Sequence, residues 1–239
     1  RQGVSEDLLG LAVLHSKELE RGLVHQLLQA SFPEGMSIAL CSDAGKEGVR
    51  LTREGLADLP GELDRDTLHI LATEYADIYL NYTFRASPCE SVWLDEDHLA
   101  MQEPMFRIRK VYLRHGLAVH DWRQRPDDHL VHQLQFLSHL MGPEDHHDNL
   151  REAARFMDEH ILRWIGDFAE RVARRAATRF YAGLALLTAA YLDELRSLLA
   201  RVLDEPRPSS TEIQKPLQSS ASVAVQPPAP YVPGSAPSW

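Results

Sequence analysis

Apolar residues recur at helical spacing along most of this chain, and strand-like alternation is almost absent. The pattern predicts a helix opened by Ser5, with Glu6 and Asp7 in its first turn, running to about Ala30. "SFPEGMSIALCSDAGKEG" interrupts it with Pro33, Gly35, Gly45 and Gly48, and a short helix is expected before Pro60. Asp66 is expected to cap a longer one. Leu68, Leu71, Ala72, Tyr75, Ile78, Tyr79 and Tyr82 share one face of it at spacings of three and four.

"FRASPCESVWLDE" reads as a loop leading to a helix over about 97–115, disturbed by Pro104 and ended by Gly116. The next helix is expected to begin at Pro126, with Asp127 and Asp128 in its first turn, where the helix dipole favours carboxylates. Leu130, Leu134, Leu137 and Met141 form its apolar stripe, and Gly142–Pro143 stops it. Two or three further helices are expected over 144–203. From Glu205 the chain turns rich in Pro, Ser, Ala and Gln and loses its stripe, which predicts a flexible or polyproline-like tail. The expected architecture is all-α: one helical domain over 1–204 and a Pro-rich tail over 205–239.

Composition narrows the function classes. A formal net charge of -10 disfavours nucleic acid and favours basic peptides or basic protein faces. Cys41 and Cys89 have neither CxxC nor metal-ligand spacing, which fits a reducing cytoplasm. "FYAGLALLTAAYL" is too short to span a bilayer, and "RQGVSEDLLG" has no signal-peptide pattern, so no stable membrane insertion is expected.

The chemistry-bearing stretch is "RPDDHLVHQLQFLSHLM", from Arg125 to Met141. His129, His132 and His139, with "EDHHD" beyond, are metal-ligating types, but their spacing matches no closed zinc site. Asp128 beside His129 has the look of an orienter–base pair, yet no nucleophile elbow, zincin motif or phosphate loop accompanies it. No cofactor, metal or enzyme activity is expected. Arg174–Arg175 near a Phe reads as a solvated helix face, not an export signal.

Five segments together resemble the TorD/DmsD-like cytoplasmic chaperones of molybdenum oxidoreductases. "YADIYL" is similar to that family's Tyr-x-x-Leu-Phe signature, and "SPCESVWLDED" to its Pro-x-x-Ser-Val-Trp/Tyr-Leu segment. "RPDDH" matches its Pro-x-Asp-His core through Pro126, Asp128 and His129. "HILRWIGDF" resembles a His-x-x-Pro-Trp segment, and "RFYAGLA" the start of the family's final helix. Arg163 stands where a proline is usual, and Arg125 where many members carry a glutamate.

The resemblance implies a TorD-like helical fold and a partner: the apo catalytic subunit of a molybdopterin enzyme, engaged through its twin-arginine signal peptide. A groove for such a leader needs apolar walls and carboxylates at one end. On that reading Tyr75, Tyr79 and Trp93 supply wall, and Glu90, Asp127 and Asp128 meet the arginines. Pro126 fixes the start of the helix, and His129 orients the loop or touches the peptide. Two other readings stay open: a helical adaptor acting through its Pro-rich tail, and a metal-dependent hydrolase using Asp128 and His129.

Overall fold

The computed structural model describes residues 1–60, 63–142 and 147–214. Among them every regular element is helical: α1 (Gln2–Ser16), α2 (Arg21–Gln29), α3 (Asp43–Ala57), α4 (Arg65–Tyr79), α5 (Ser91–Leu94), α6 (Glu103–Arg114), α7 (Leu130–Leu140), α8 (His147–Glu159), α9 (Ile165–Arg175), α10 (Arg179–Leu203) and α11 (Ser210–Ile213), with a 3-10 turn at Ile161–Arg163. The all-α expectation holds.

α10 is the axis of the molecule. Its 25 residues extend about 37 Å, and Phe180, Leu184, Leu187, Tyr191, Leu195 and Leu199 are buried along it. α3, α8 and α9 pack around it, while α1 packs on α7. Such burial on several sides needs a helix apolar almost all round, which "RFYAGLALLTAAYL" provides.

The α3–α10 contact explains glycines that the sequence pattern treats as breakers. α3 is a full 15 residues, not a short helix, and Gly45 and Gly48 lie inside it. A Cβ on Gly55 would sit 2.3 Å from the Phe180 backbone nitrogen, and one on Gly183 2.3 Å from that of Thr52. Only hydrogen at those positions lets the two backbones approach so closely.

Helix boundaries also differ from expectation. α1 begins at Gln2, so Ser5 is interior, and its hydroxyl instead bonds Ser138 of α7. The chain breaks at Lys17, so 5–30 is two helices. Asp64, not Asp66, caps α4 by accepting the Thr67 N–H at 2.8 Å. Pro104 lies in the first turn of α6, where it needs no N–H partner, so it starts that helix without dividing it. Gly116, with φ +69°, follows the end of α6 as expected.

Two polar ties lock α4 and α1 to α10. The buried Glu74 carboxylate accepts backbone N–H groups of Ala177 at 2.6 Å and Thr178 at 3.1 Å, capping the α10 start. His15, wholly buried, joins Tyr79 of α4 to Thr188 of α10, at 2.6 and 2.8 Å. Thr188 spends its proton on the Leu184 carbonyl, so His15 Nε2 donates to Thr188 and Nδ1 accepts from Tyr79.

α10 ends at Leu203, and residues 205–209 lead to the single turn α11 inside the stretch whose pattern predicts no helix. Residues 215–239, where most of the tail expectation falls, lie outside the described residues. So do Pro143 to His146, with most of the "EDHHD" cluster.

Candidate functional site

The "SPCES" and "PDDH" segments are bonded to each other. The Glu90 N–H donates to the Asp128 carbonyl at 3.1 Å and the Leu130 N–H to the Pro88 carbonyl at 2.7 Å. They form an isolated antiparallel bridge between Cys89 and His129. A third segment joins through His160, whose Nδ1 lies 2.9 Å from Glu90. Trp164, four residues on, stacks on Trp93 with ring centroids 6.4 Å apart.

This pairing moves the carboxylates indoors. α7 begins at Leu130, with His129 as its cap, so Pro126, Asp127 and Asp128 precede the helix. Asp128 is fully buried and accepts from the Ser91 N–H at 2.7 Å and the Ser91 hydroxyl at 2.6 Å. Burial holds its carboxyl above the usual range despite those bonds. Asp127, 2 % exposed, takes a two-pronged bond from Arg109 at 2.8 and 3.3 Å. The Arg109 guanidinium lies 4.5 Å from the Trp122 ring centre. Glu90, 1 % exposed, bonds His160 and Gln133.

The expectation of an accessible helix start at Asp127 and Asp128 is therefore corrected: a chain reversal, not a first helical turn, carries them. Glu90 is likewise internal. Trp93 is half-buried, with its indole N–H given to the Ser87 carbonyl and Arg171 over its ring at 4.5 Å. Pro126 is buried, and its carbonyl accepts the His129 N–H at 3.0 Å.

Beside this braced layer opens a recess of about 760 Å³. The end of α4 gives it Tyr75, Tyr79, Leu80 and Tyr82; α7 gives His132, Phe136 and His139. The α6–α7 connection supplies Leu117, Val119, Asp121 and Arg125, and His129 closes the seam. Three of the expected site residues thus meet here: Tyr75, Tyr79 and His129. Glu90, Trp93, Asp127 and Asp128 are not among its lining residues.

The recess is polar without being strongly charged. Among its described lining residues, Asp121 brings a carboxylate and Arg125 a guanidinium. Arg125 donates to the Ser16 carbonyl at 2.9 Å, capping the end of α1. His129 is held neutral by burial, its Nδ1 accepting the Val131 N–H at 3.1 Å, so its proton sits on Nε2. His132 is also shifted toward neutrality, chiefly by burial, and its Nε2 is buried without a partner. A strongly anionic groove is not what the structure shows.

Sequence reasoning missed Leu80, Phe136 and the α6–α7 residues as lining, because nothing in helical period says which connection folds over a stripe. Tyr82 was placed on the α4 stripe, yet α4 ends at Tyr79 and Tyr82 turns outward. It is 46 % exposed and has φ +52°, a left-handed conformation that costs a tyrosine about 1 kcal/mol or more. Arg125 was visible as an unusual residue, and the structure gives it a local purpose.

The geometry can hold an uncharged, apolar group against aromatic walls while offering ring N–H and hydroxyl donors. It does not gather metal ligands: among the described residues no group of three His, Cys, Asp or Glu could hold an ion.

Comparison with known proteins fixes the class. The chain belongs to the family described as nitrate reductase delta subunit, whose profile matches residues 42–170. Within it the likeness is to TorD/DmsD-like chaperones. Chaperone protein TorD of Vibrio cholerae serotype O1 (strain M66-2) is 28% identical over 181 residues, covering 66% of this chain and 81% of that protein. Chaperone protein TorD of Shewanella pealeana is 26% identical over 186 residues, 74% of this chain and 81% of its own length. A probable Tat proofreading chaperone, DmsD of Haemophilus influenzae, is 28% identical over 101 residues, 42% of this chain and 47% of that protein.

Proposed function

We propose that this protein is a cytoplasmic maturation chaperone that receives the twin-arginine leader of an apo molybdoenzyme catalytic subunit in the recess beside His129. It holds the subunit until cofactor is inserted and performs no chemistry. The observation that carries this reading is the open, aromatic-walled recess of about 760 Å³ at the junction of the motif-bearing segments.

The physical division of labour differs from a charge-led groove. Leu80 and Tyr82, exposed over the buried rings of Tyr75 and Phe136, receive the apolar stretch of the leader, and neutral His129 and His132 meet its backbone. Asp128, Asp127 and Glu90 act at one remove, by holding the α5 segment against the start of α7. Asp121 is the recess carboxylate within reach of a basic residue. Burying about 400 Å² of apolar surface would release on the order of 10 kcal/mol, against roughly 4–15 kcal/mol for association and ordering. At the low end of that cost about 6 kcal/mol remains, which gives reversible binding at about tens of micromolar.

Among the described residues no helix is long and apolar enough to cross a membrane, which is compatible with this role. Against the hydrolase reading, Asp128 does not orient His129: its carboxylate accepts from Ser91, and His129 Nδ1 accepts from the Val131 N–H.

Calorimetric titration of the full chain with a synthetic leader, an arginine pair followed by a leucine-rich stretch, tests the proposal. Saturable one-to-one binding that drops about tenfold in Tyr82→Ala supports it. Absence of binding at 1 mM leader, on the order of the weakest useful affinity, contradicts it.

A further inference from the structure

Arg125 stands half-buried in the wall of the recess with most of its hydrogen-bond donors unused. One guanidinium N–H goes to the Ser16 carbonyl at 2.9 Å, out of the five that the group carries. A carbonyl accepts that bond without cancelling the charge. Arg109 and Arg196, also sheltered, each hold a carboxylate at 2.8 Å. Arg125 has no such partner: among the described residues no carboxylate oxygen comes within 4 Å of its guanidinium. Asp121, four residues earlier in the same connection, accepts the Arg125 backbone N–H at 3.1 Å through its carbonyl, and its side chain forms no ion pair with Arg125.

This charge acts inside the recess. Burial is the main cause that lowers His129 and His132, and Arg125 lowers both further. Other donors face the same space: His129 carries its proton on Nε2, and Tyr75 and Tyr82 bring hydroxyl groups. An apolar segment laid over Arg125 would bury an uncompensated cation, which is costly. A carboxylate placed there replaces the lost water with charge-assisted hydrogen bonds.

We propose that Arg125 is a specificity-determining residue of the recess, selecting leaders that carry an Asp or Glu side chain within their apolar stretch, an inference that rests on reading the recess as the client site. The leader then meets two opposite charges on one connection: Asp121 takes a basic residue and Arg125 an acidic one. Opposed signs at fixed spacing set the register of the bound segment and reject leaders with the wrong sign. Apolar walls alone cannot make that distinction between leaders that share an arginine pair and a leucine-rich stretch.

Calorimetric titration of the full chain with a matched set of synthetic leaders tests this. Each leader has the arginine pair and the leucine-rich stretch, with a single Glu, Gln or Lys moved one position at a time along that stretch. At one or two neighbouring positions Glu is expected to bind about tenfold more tightly than Gln. Arg125→Gln, which keeps an N–H for the Ser16 carbonyl, is expected to abolish that preference, and Arg125→Glu to turn it toward Lys. A merely structural role for Arg125 would weaken every leader alike and leave the ratio of Glu to Gln affinities unchanged. Leaders that bind with no preference above about twofold at any position, or a preference that survives Arg125→Gln, overturn the proposal and leave the client reading standing. Absence of binding by every leader at about 1 mM overturns the client reading and the proposal with it.

Discussion

Asp128 and Ser91 are joined twice: one carboxylate oxygen accepts both the backbone N–H and the hydroxyl of the serine, at 2.7 and 2.6 Å. The pair is buried, and it ties the short helix α5 to the start of α7 across 36 intervening residues. Two of the most recognisable segments of the sequence therefore recognise each other first. Their role is to hold the recess wall in place.

Asp128→Ala removes both bonds and leaves the Ser91 N–H and hydroxyl proton without their acceptor in the interior. The expected loss is about 2–4 kcal/mol, near the range for bonds to a buried charged acceptor, or roughly 5–12 °C in thermal midpoint for a body of this size. Leader affinity per folded molecule should change less than about threefold, because the carboxylate lies behind the recess. A tenfold loss of affinity with an unchanged midpoint would return Asp128 to direct contact.

The same residue carries a pH signature. Burial raises its folded-state value above the ordinary carboxylate range near 3.9. The fold thus prefers the protonated form, so this contribution is full below the ordinary range and is lost as pH rises through the folded value. In thermal melts from pH 4 upward, the wild type should lose stability relative to Asp128→Asn.

His15 works in the opposite direction. Burial lowers it to about 3, so the fold requires a neutral ring between Tyr79 and Thr188. Its contribution is full above the ordinary imidazole value near 6.5 and falls as pH drops below it, by about 1.4 kcal/mol per unit. His129, also held well below its usual value, adds a slope of the same sign. Lowering pH from 7.5 to 5.5 should therefore cost the midpoint roughly 5–10 °C. His15→Gln should be less stable at neutral pH yet show about half that slope; a full slope in the variant would remove His15 from the account.

Glycines make a fourth test. Gly183→Ala drives a methyl group into the Thr52 backbone and should cost about 1–3 kcal/mol. Gly10→Ala, in open space on α1, should stabilise by about 0.5–1 kcal/mol. Chemical denaturation of the two variants measures both, and equal effects would contradict the close crossing.

These cases mark what could be read from residues alone. The helical period fixed the class of fold and the Leu130–Leu134–Leu137–Met141 stripe, because spacing along one helix is a local property. Gly116 was legible for the same reason. Burial of Asp127 and Asp128 was not, since it depends on a bridge to Cys89 and on Arg109, partners many residues away. Gly48 looked like a breaker because a close backbone crossing, here to Leu187, leaves no periodic trace. Tyr75 and Tyr79 were placed correctly on a buried face, but their neighbours in the recess come from the α6–α7 connection, whose path no spacing encodes.

The central claim is that the recess between the end of α4 and α7 receives the apolar stretch of a leader. Its most direct test is a synthetic leader bearing a photo-reactive group within the leucine-rich stretch, cross-linked to the full chain and mapped by mass spectrometry. The account predicts links concentrated on Tyr82, His132 and Gln135, and their loss when unlabelled leader is added in excess. Links spread over the α2–α3 side of the molecule, or links insensitive to competition, would contradict it.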